Sequence, residues 1–145
     1  MWIYKPTQLA LTIILIQISL LGCNLKTPEL AGTEWDLISL DGKVLIEGTA
    51  ITLNFADEYL GGEMDCNLYG GSPDGGKYRA AGDGTLTLIL PLAVTVQLCT
   101  EPEGIMEQEA AYIEALMNTT NFRTVDNHLE IDDEDGEIIL IFQAK

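Results

Sequence analysis

The sequence predicts an α+β domain: a strongly curved antiparallel sheet of about eight short strands, a partial barrel, packed on one amphipathic helix. Three observations predict it. Apolar and polar residues alternate in several short runs. Turn residues, mostly glycine and aspartate, separate those runs. The period changes only once, to a helical one, over residues 100–121. At 145 residues the chain can bury one sizeable core and little more.

The elements follow in order from residue 30. "TEWDLISL" places Trp35 and Leu37 on one face of a strand, and Asp41-Gly42 supplies the turn after it. "TAITLNFADE" alternates cleanly, with Ile51, Leu53 and Phe55 inward and Thr52 and Asn54 outward, as in a strand with one wet face. The glycine-rich stretch that follows predicts short strands near Cys66–Tyr69 and Lys77–Ala80, with loops between. "TLTLILPL" puts Leu86, Leu88 and Leu90 on one face, and Pro91 ends it or marks an edge. "AVTVQLC" reads as a further strand, with Val94, Val96 and Leu98 opposite Thr95 and Gln97.

The helical segment places Met106, Ala110, Ile113, Leu116 and Met117 on one stripe, expected to face the core. Thr100 and Glu103 have the capping-box spacing, and Pro102 falls where a first turn accepts it. Two short strands, "FRTVDN" and "HLEID", turn near Asp126-Asn127. After "DEDGE", the unbroken run "IILIF" predicts a strand buried on both faces.

Residues 1–22 read differently. Lys5 is their only charged side chain, and "LALTIILIQISLLG" has the length of a signal-peptide core, short of the roughly 20 apolar residues of a spanning helix. Leu20-Leu21-Gly22-Cys23 then resembles the lipobox of bacterial lipoproteins, in which the cysteine thiol is acylated and becomes the first residue. An ordinary secretory signal and an uncleaved helix are the alternatives. The expected organisation is a signal peptide over 1–22, a short tether over 23–29 and a domain over 30–145. The expected location is the cell envelope, lipid-anchored through Cys23 and outside the cytoplasm, on the outer membrane where there is one. Six residues of tether span about 20 Å, which keeps the domain near the bilayer.

The chain carries 7 basic and 23 acidic residues, a net charge of −16. Loss of Lys5 would make the exported part more acidic still. Such a surface argues against nucleic acid, whose phosphates need Lys and Arg, and against electrostatic attachment to anionic lipid.

Cys66 and Cys99 are the other two cysteines. In an oxidising compartment an even pair most often forms one disulfide; reduced buried thiols and a redox-active or metal-binding pair are the alternatives. A bridge would close a 33-residue loop, worth roughly 3–4 kcal/mol by chain entropy. With His128 as the only histidine and no Cys-x-x-Cys, a zinc site lacks ligands. His128 also lacks a companion nucleophile in the sequence, and no Gly-x-Ser-x-Gly occurs. "DDEDGE" misses a calcium loop at both ends, because Ile131 and Phe142 stand where its first and twelfth ligands belong. A turn on Asp135-Gly136 explains it. The glycines of residues 61–84 precede no Gly-Lys-Ser/Thr and read as turns and bulges rather than a phosphate cradle.

Taken together, "LAGTEWDLISLDG", "ITLNF", "MDCNLYGG", "TVQLC", "MEQEAAYIEAL" and "HLEIDDEDGEIILIF" resemble, in order, the motifs of the META domain, or HslJ-like, family. The resemblance covers residues 30–142. It implies the same α+β fold and a disulfide between Cys66 and Cys99. It implies export, often as a lipoprotein, links to envelope stress or secretion, and no established catalysis. The fold is also similar to that of small lipoproteins that hold secretin subunits. Asp65 departs from the family's glycine before Cys-Asn, and "SPDGG" resembles an inserted loop.

The expectation is therefore a non-enzymatic envelope lipoprotein without a cofactor or metal, binding an envelope protein or an apolar ligand. A structural envelope-integrity protein is the alternative, and a small thiol-dependent enzyme a further one.

Overall fold

The computed structural model describes residues 29–71 and 75–145. The expected signal peptide over 1–22, Cys23, the expected tether up to residue 28 and residues 72–74 of the "SPDGG" loop lie outside them.

Among the described residues there are nine strands and one helix. The strands are β1 (Thr33–Leu40), β2 (Thr52–Phe55), β3 (Leu60–Glu63), β4 (Leu68–Gly70), β5 (Lys77–Ala80), β6 (Leu86–Ile89), β7 (Asn121–Val125), β8 (His128–Asp132) and β9 (Ile138–Ala144). The helix, α1 (Ile105–Met117), lies between β6 and β7. Seven strands form one antiparallel sheet in the order β4-β3-β2-β1-β9-β8-β7, so the first and last strands meet at its centre.

Alternation dictates which face of the sheet is covered. Leu40, Leu140, Ile131 and Phe122 are successive partners across β1, β9, β8 and β7, and all four are buried. Each such side chain contributes on the order of 1.5–3 kcal/mol through removal from water. Trp35 and Leu37 of β1, and Ile51, Leu53 and Phe55 in and beside β2, are buried as their alternation predicts. The β1 turn is also as predicted: Asp41 and Gly42 both adopt positive φ, and Leu40 and Lys43 exchange hydrogen bonds across them.

The seven-stranded sheet does not close on itself. The β5–β6 ribbon spans its open side, meeting Tyr59 before β3 through Lys77 and meeting Asn121 of β7 through Thr85. These are isolated bridges, not ladders, so the architecture is a partial barrel.

The helix plugs this curved sheet. Tyr112 is fully buried, with its ring edge-on to Tyr69 and Phe142 at centroid distances of 5.3 and 6.4 Å. Tyr69 donates its hydroxyl proton to the Thr52 carbonyl at 2.6 Å, so Tyr112 is the donor in the 2.6 Å hydroxyl pair between them. Burial pushes both phenols well above the ordinary tyrosine range; for Tyr69 the neighbouring Tyr112 adds to the rise, whereas for Tyr112 the bond to Tyr69 opposes it.

Several expectations need correction. Strand β3 carries two adjacent glycines and reads from sequence as loop. Glycine is required there because a Cβ on Gly62 would collide with the Thr52 carbonyl of the neighbouring strand. The run "IILIF" is not buried on both faces: Leu140 and Phe142 are inside, whereas Ile138, Ile139 and Ile141 are exposed or half-covered. The two buried side chains belong to the core that the helix and the β5–β6 ribbon share, with Tyr112 against Phe142 and Tyr78 against Phe55. Leu90 is likewise exposed, since β6 ends at Ile89. The Thr100–Glu103 capping box does not form. A turn at Pro102 precedes the helix, and Gly104, with a φ of 85°, is its N-cap without a side-chain bond.

Candidate functional site

The largest departures from expectation occur together. Residues 94–98 form no strand of the predicted kind, and Val96 and Leu98 are 94% and 86% exposed. The helix buries Ile105, Glu109, Tyr112, Ala115 and Leu116. Of the stripe expected to face the core, only Leu116 is buried; Met106 and Ile113 are half-covered, and Ala110 and Met117 are exposed. The stripe is real, but it is displaced by about 100° around the helix from the buried face. Both apolar sets line one open pocket.

Local chemistry explains the inversion. Asn67, just before β4, is buried and fully hydrogen-bonded. Its Oδ1 accepts from the Gln97 N–H at 2.7 Å and from the Thr95 hydroxyl at 2.9 Å. Its Nδ2 donates to the Gln97 carbonyl at 3.0 Å and to Glu109 Oε2 at 2.8 Å. The other Glu109 oxygen accepts the backbone N–H of Cys66 at 2.6 Å and of Asn67 at 3.2 Å. A buried carboxylate therefore sits on the inner face of α1 because three donors await it there.

Asn67 thus extends a single antiparallel bridge, Tyr69 of β4 to Val94, that holds the segment following Pro91. Further bonds join Gly70 N–H to Ala93 O at 2.8 Å, Leu68 N–H to Thr95 Oγ1 at 3.0 Å and Thr95 N–H to Leu68 O at 2.9 Å. The Cys66–Cys99 disulfide fixes the far end, with a Cα separation of 6.0 Å. These restraints turn the Thr95 hydroxyl and the Gln97 backbone toward the fold. Alternation then sends Val96 and Leu98 outward. The segment is a strap across the mouth of the barrel rather than a strand within it.

Between the strap and α1 runs a groove of about 440 Å³. Val94, Val96 and Leu98, with Thr95 and Gln97 between them, line one wall; Met106, Ala110, Ile113 and Met117, with Glu114, line the other. Met64, Asn67 and Glu109 form its floor, where the polar atoms are occupied by one another. The volume lies within the range of small-molecule and peptide-anchor sites. A monomeric domain seldom leaves so many large apolar groups together in water. A second cleft of about 550 Å³ lies between Ala31 and Tyr78–Gly82, with Glu29, Asp57 and Arg79 around it. Its larger volume does not make it the better candidate, because its large apolar residues, Leu30, Tyr78 and Phe122, are buried in the core, and what it exposes is Glu29, Asp57 and Arg79 with alanine and glycine.

The remaining sequence candidates are not gathered into a site. Cys66 and Cys99 are bonded to each other. His128 opens β8 opposite Val125 and Gln143, and among the described residues no hydrogen bond or ion pair reaches its imidazole. The acidic turn is organised by its own aspartate: Asp133 Oδ1 accepts from Asp135 N–H and Glu137 N–H, both at 3.0 Å. Among the described residues no group of three or more His, Cys, Asp or Glu side chains is placed to hold a metal. No helix among them is long and apolar enough to cross a membrane. The groove itself was missed by sequence reasoning, although its two stripes were both visible as periodic patterns.

Comparison with known proteins returns the family named by the motifs: the META domain matches residues 28–145. Two solved structures share the fold. One, a solution NMR structure, has a TM-score of 0.58 at 21% identity, covering 79% of this chain and 90% of its own. The other, an NMR structure of a protein from Burkholderia xenovorans, has a TM-score of 0.57 at 25% identity, covering 80% and 83%. No curated protein matches the chain.

Proposed function

The chain belongs to the META domain family, and on that premise we propose that it is a membrane-tethered, non-enzymatic binding module of the cell envelope whose groove holds an apolar group. The META domain is not a known enzyme family. The observation that carries the reading is the groove: two apolar stripes, on the strap and on α1, held apart and lining one open pocket in water. Asn67, Glu109 and the disulfide fix their separation in advance, so little ordering is needed on binding.

The tether rests on the lipobox-like Leu20-Leu21-Gly22-Cys23 and on the short tether after it. Acylation at Cys23 would supply attachment to a membrane that the acidic domain does not attract by charge. A thiol-dependent enzyme has no free thiol to draw on among the described residues.

A neutral apolar fluorophore such as Nile red tests the groove. The full chain is expected to enhance its emission, and Val96→Asn combined with Leu98→Asn to weaken binding about tenfold through lost apolar contact. Unchanged binding in that double variant would place the apolar site elsewhere and overturn the reading.

A further inference from the structure

The groove's occupant is constrained by what surrounds it. Its walls come from two stretches of chain, around residue 64 and over residues 94–117. No lysine or arginine occurs between Lys43 and Lys77, nor between Arg79 and Arg123. The same stretches expose Glu63, Asp65, Glu101, Glu103, Glu107 and Glu114. On α1, Glu107 and Glu114 are seven residues apart, two turns on one face, and that face adjoins the Met106–Ala110–Ile113–Met117 stripe on its solvent side. The result is an apolar channel with a rim of one charge.

Three kinds of occupant meet this surface differently. A neutral acyl chain would fill the channel and leave the rim without a partner. A second copy would bring another acidic rim against the first, on a chain whose net charge is −16. A segment with an apolar face and basic flanks matches channel and rim together. Unbranched methionines at both ends of the stripe can adapt to different apolar anchors. From Met106 to Met117 the stripe runs about 16 Å, the length of three anchors spaced by a helical turn or so.

Resting on the groove reading above, we infer that the partner is a basic amphipathic helix. Its apolar face lies between α1 and the strap, and its Lys and Arg side chains reach Glu107 and Glu114. The structure thereby assigns a protein segment, rather than a lipid, to this site.

The test uses a rhodamine-labelled 18-residue Leu/Lys peptide with leucines at helical spacing, titrated into the full chain. A scrambled peptide of the same composition and a Leu/Glu counterpart serve as controls. The Leu/Lys peptide is expected to bind at least about tenfold tighter than either, and more weakly as salt rises from about 0.05 to 0.5 M. Val96→Asn with Leu98→Asn is expected to weaken it about tenfold. Glu107→Gln with Glu114→Gln should weaken it about threefold, whereas Glu134→Gln with Asp135→Asn, an equal change of charge on the remote turn, should leave it unchanged.

Equal binding of the scrambled or Leu/Glu peptide, or equal effects of the two charge-neutralising pairs, would overturn the inference. If the groove variant still weakens Nile red binding in that case, the groove stands and only the basic partner falls. If the dye is also indifferent to the groove variant, the reading beneath the inference falls with it.

Discussion

Replacing Asn67 with alanine removes four hydrogen bonds at one buried position and leaves the Glu109 carboxylate with one donor fewer. Buried donors and acceptors stripped of partners cost their desolvation, so the expected loss is about 2–4 kcal/mol in urea unfolding, against within about 0.5 kcal/mol for an exposed site. A loss near zero would mean that the strap is held by other groups. The tyrosine pair sets a pH limit. Tyr69 and Tyr112 keep their protons in the fold to higher pH than in the unfolded chain, because burial disfavours both phenolates. Below about pH 10 both states are protonated and the pair contributes fully; above it the unfolded chain releases protons that the fold retains, and stability falls. Chemical unfolding across that range is the check. Tyr112→Phe, which keeps the ring, is expected to flatten the decline, and an unaltered profile would contradict the assignment.

Among the elements, the strap is the piece whose position the account depends on. Reduction of Cys66–Cys99 frees the end of a 33-residue loop and is expected to cost about 3 kcal/mol. With Asn67 and Thr95 still engaged, the remainder of the fold should survive, and hydrogen exchange should quicken first over residues 96–100. Uniform exchange across the sheet would show instead that the bridge holds the whole domain. The strap also shows what was legible in sequence. Alternation marked Val94, Val96 and Leu98 as one face, and helical spacing marked Met106, Ala110, Ile113 and Met117 as another. Both patterns are present in the structure. Periodicity reports that residues share a face, not what the face meets, and a strand-like pattern held by a side chain 30 positions away looks the same as one in a ladder. The core face of α1 was obscured because Glu109 lies on it, and a glutamate reads as exposed unless its three donors are known. Strand β3 was hidden by Gly61 and Gly62 for the opposite reason, since the close approach that demands them is made by another strand. Gly62→Ala is therefore expected to destabilise by more than about 2 kcal/mol, measurable by thermal unfolding.

For the whole molecule, the alternating β1, β2, β7 and β8 runs and the single helix were enough to give the curved sheet on a helix, and the order of motifs was enough to give the family. The ribbon that spans the open side was not legible, because its ends are tied by single bridges at Tyr59 and Asn121. The acidic surface, the groove and the proposed anchor at Cys23 combine into one account: a domain held close to a membrane, repelled by anionic surfaces, and open to an apolar segment on one side. Intact mass of the protein from native membranes tests the anchor; acylation with loss of residues 1–22 is expected, and an unmodified chain retaining Met1 would remove the tether from the account. The central claim is that the space between α1 and the strap binds, and methyl NMR addresses it most directly. On addition of the Leu/Lys peptide or Nile red to the methyl-labelled full chain, the signals of Met106, Met117, Val96 and Leu98 are expected to shift together, while those of the core residues Leu129 and Leu140 stay in place. Shifts gathered instead around Leu30 and Ala80, beside the second cleft, or no shifts at all, would contradict it.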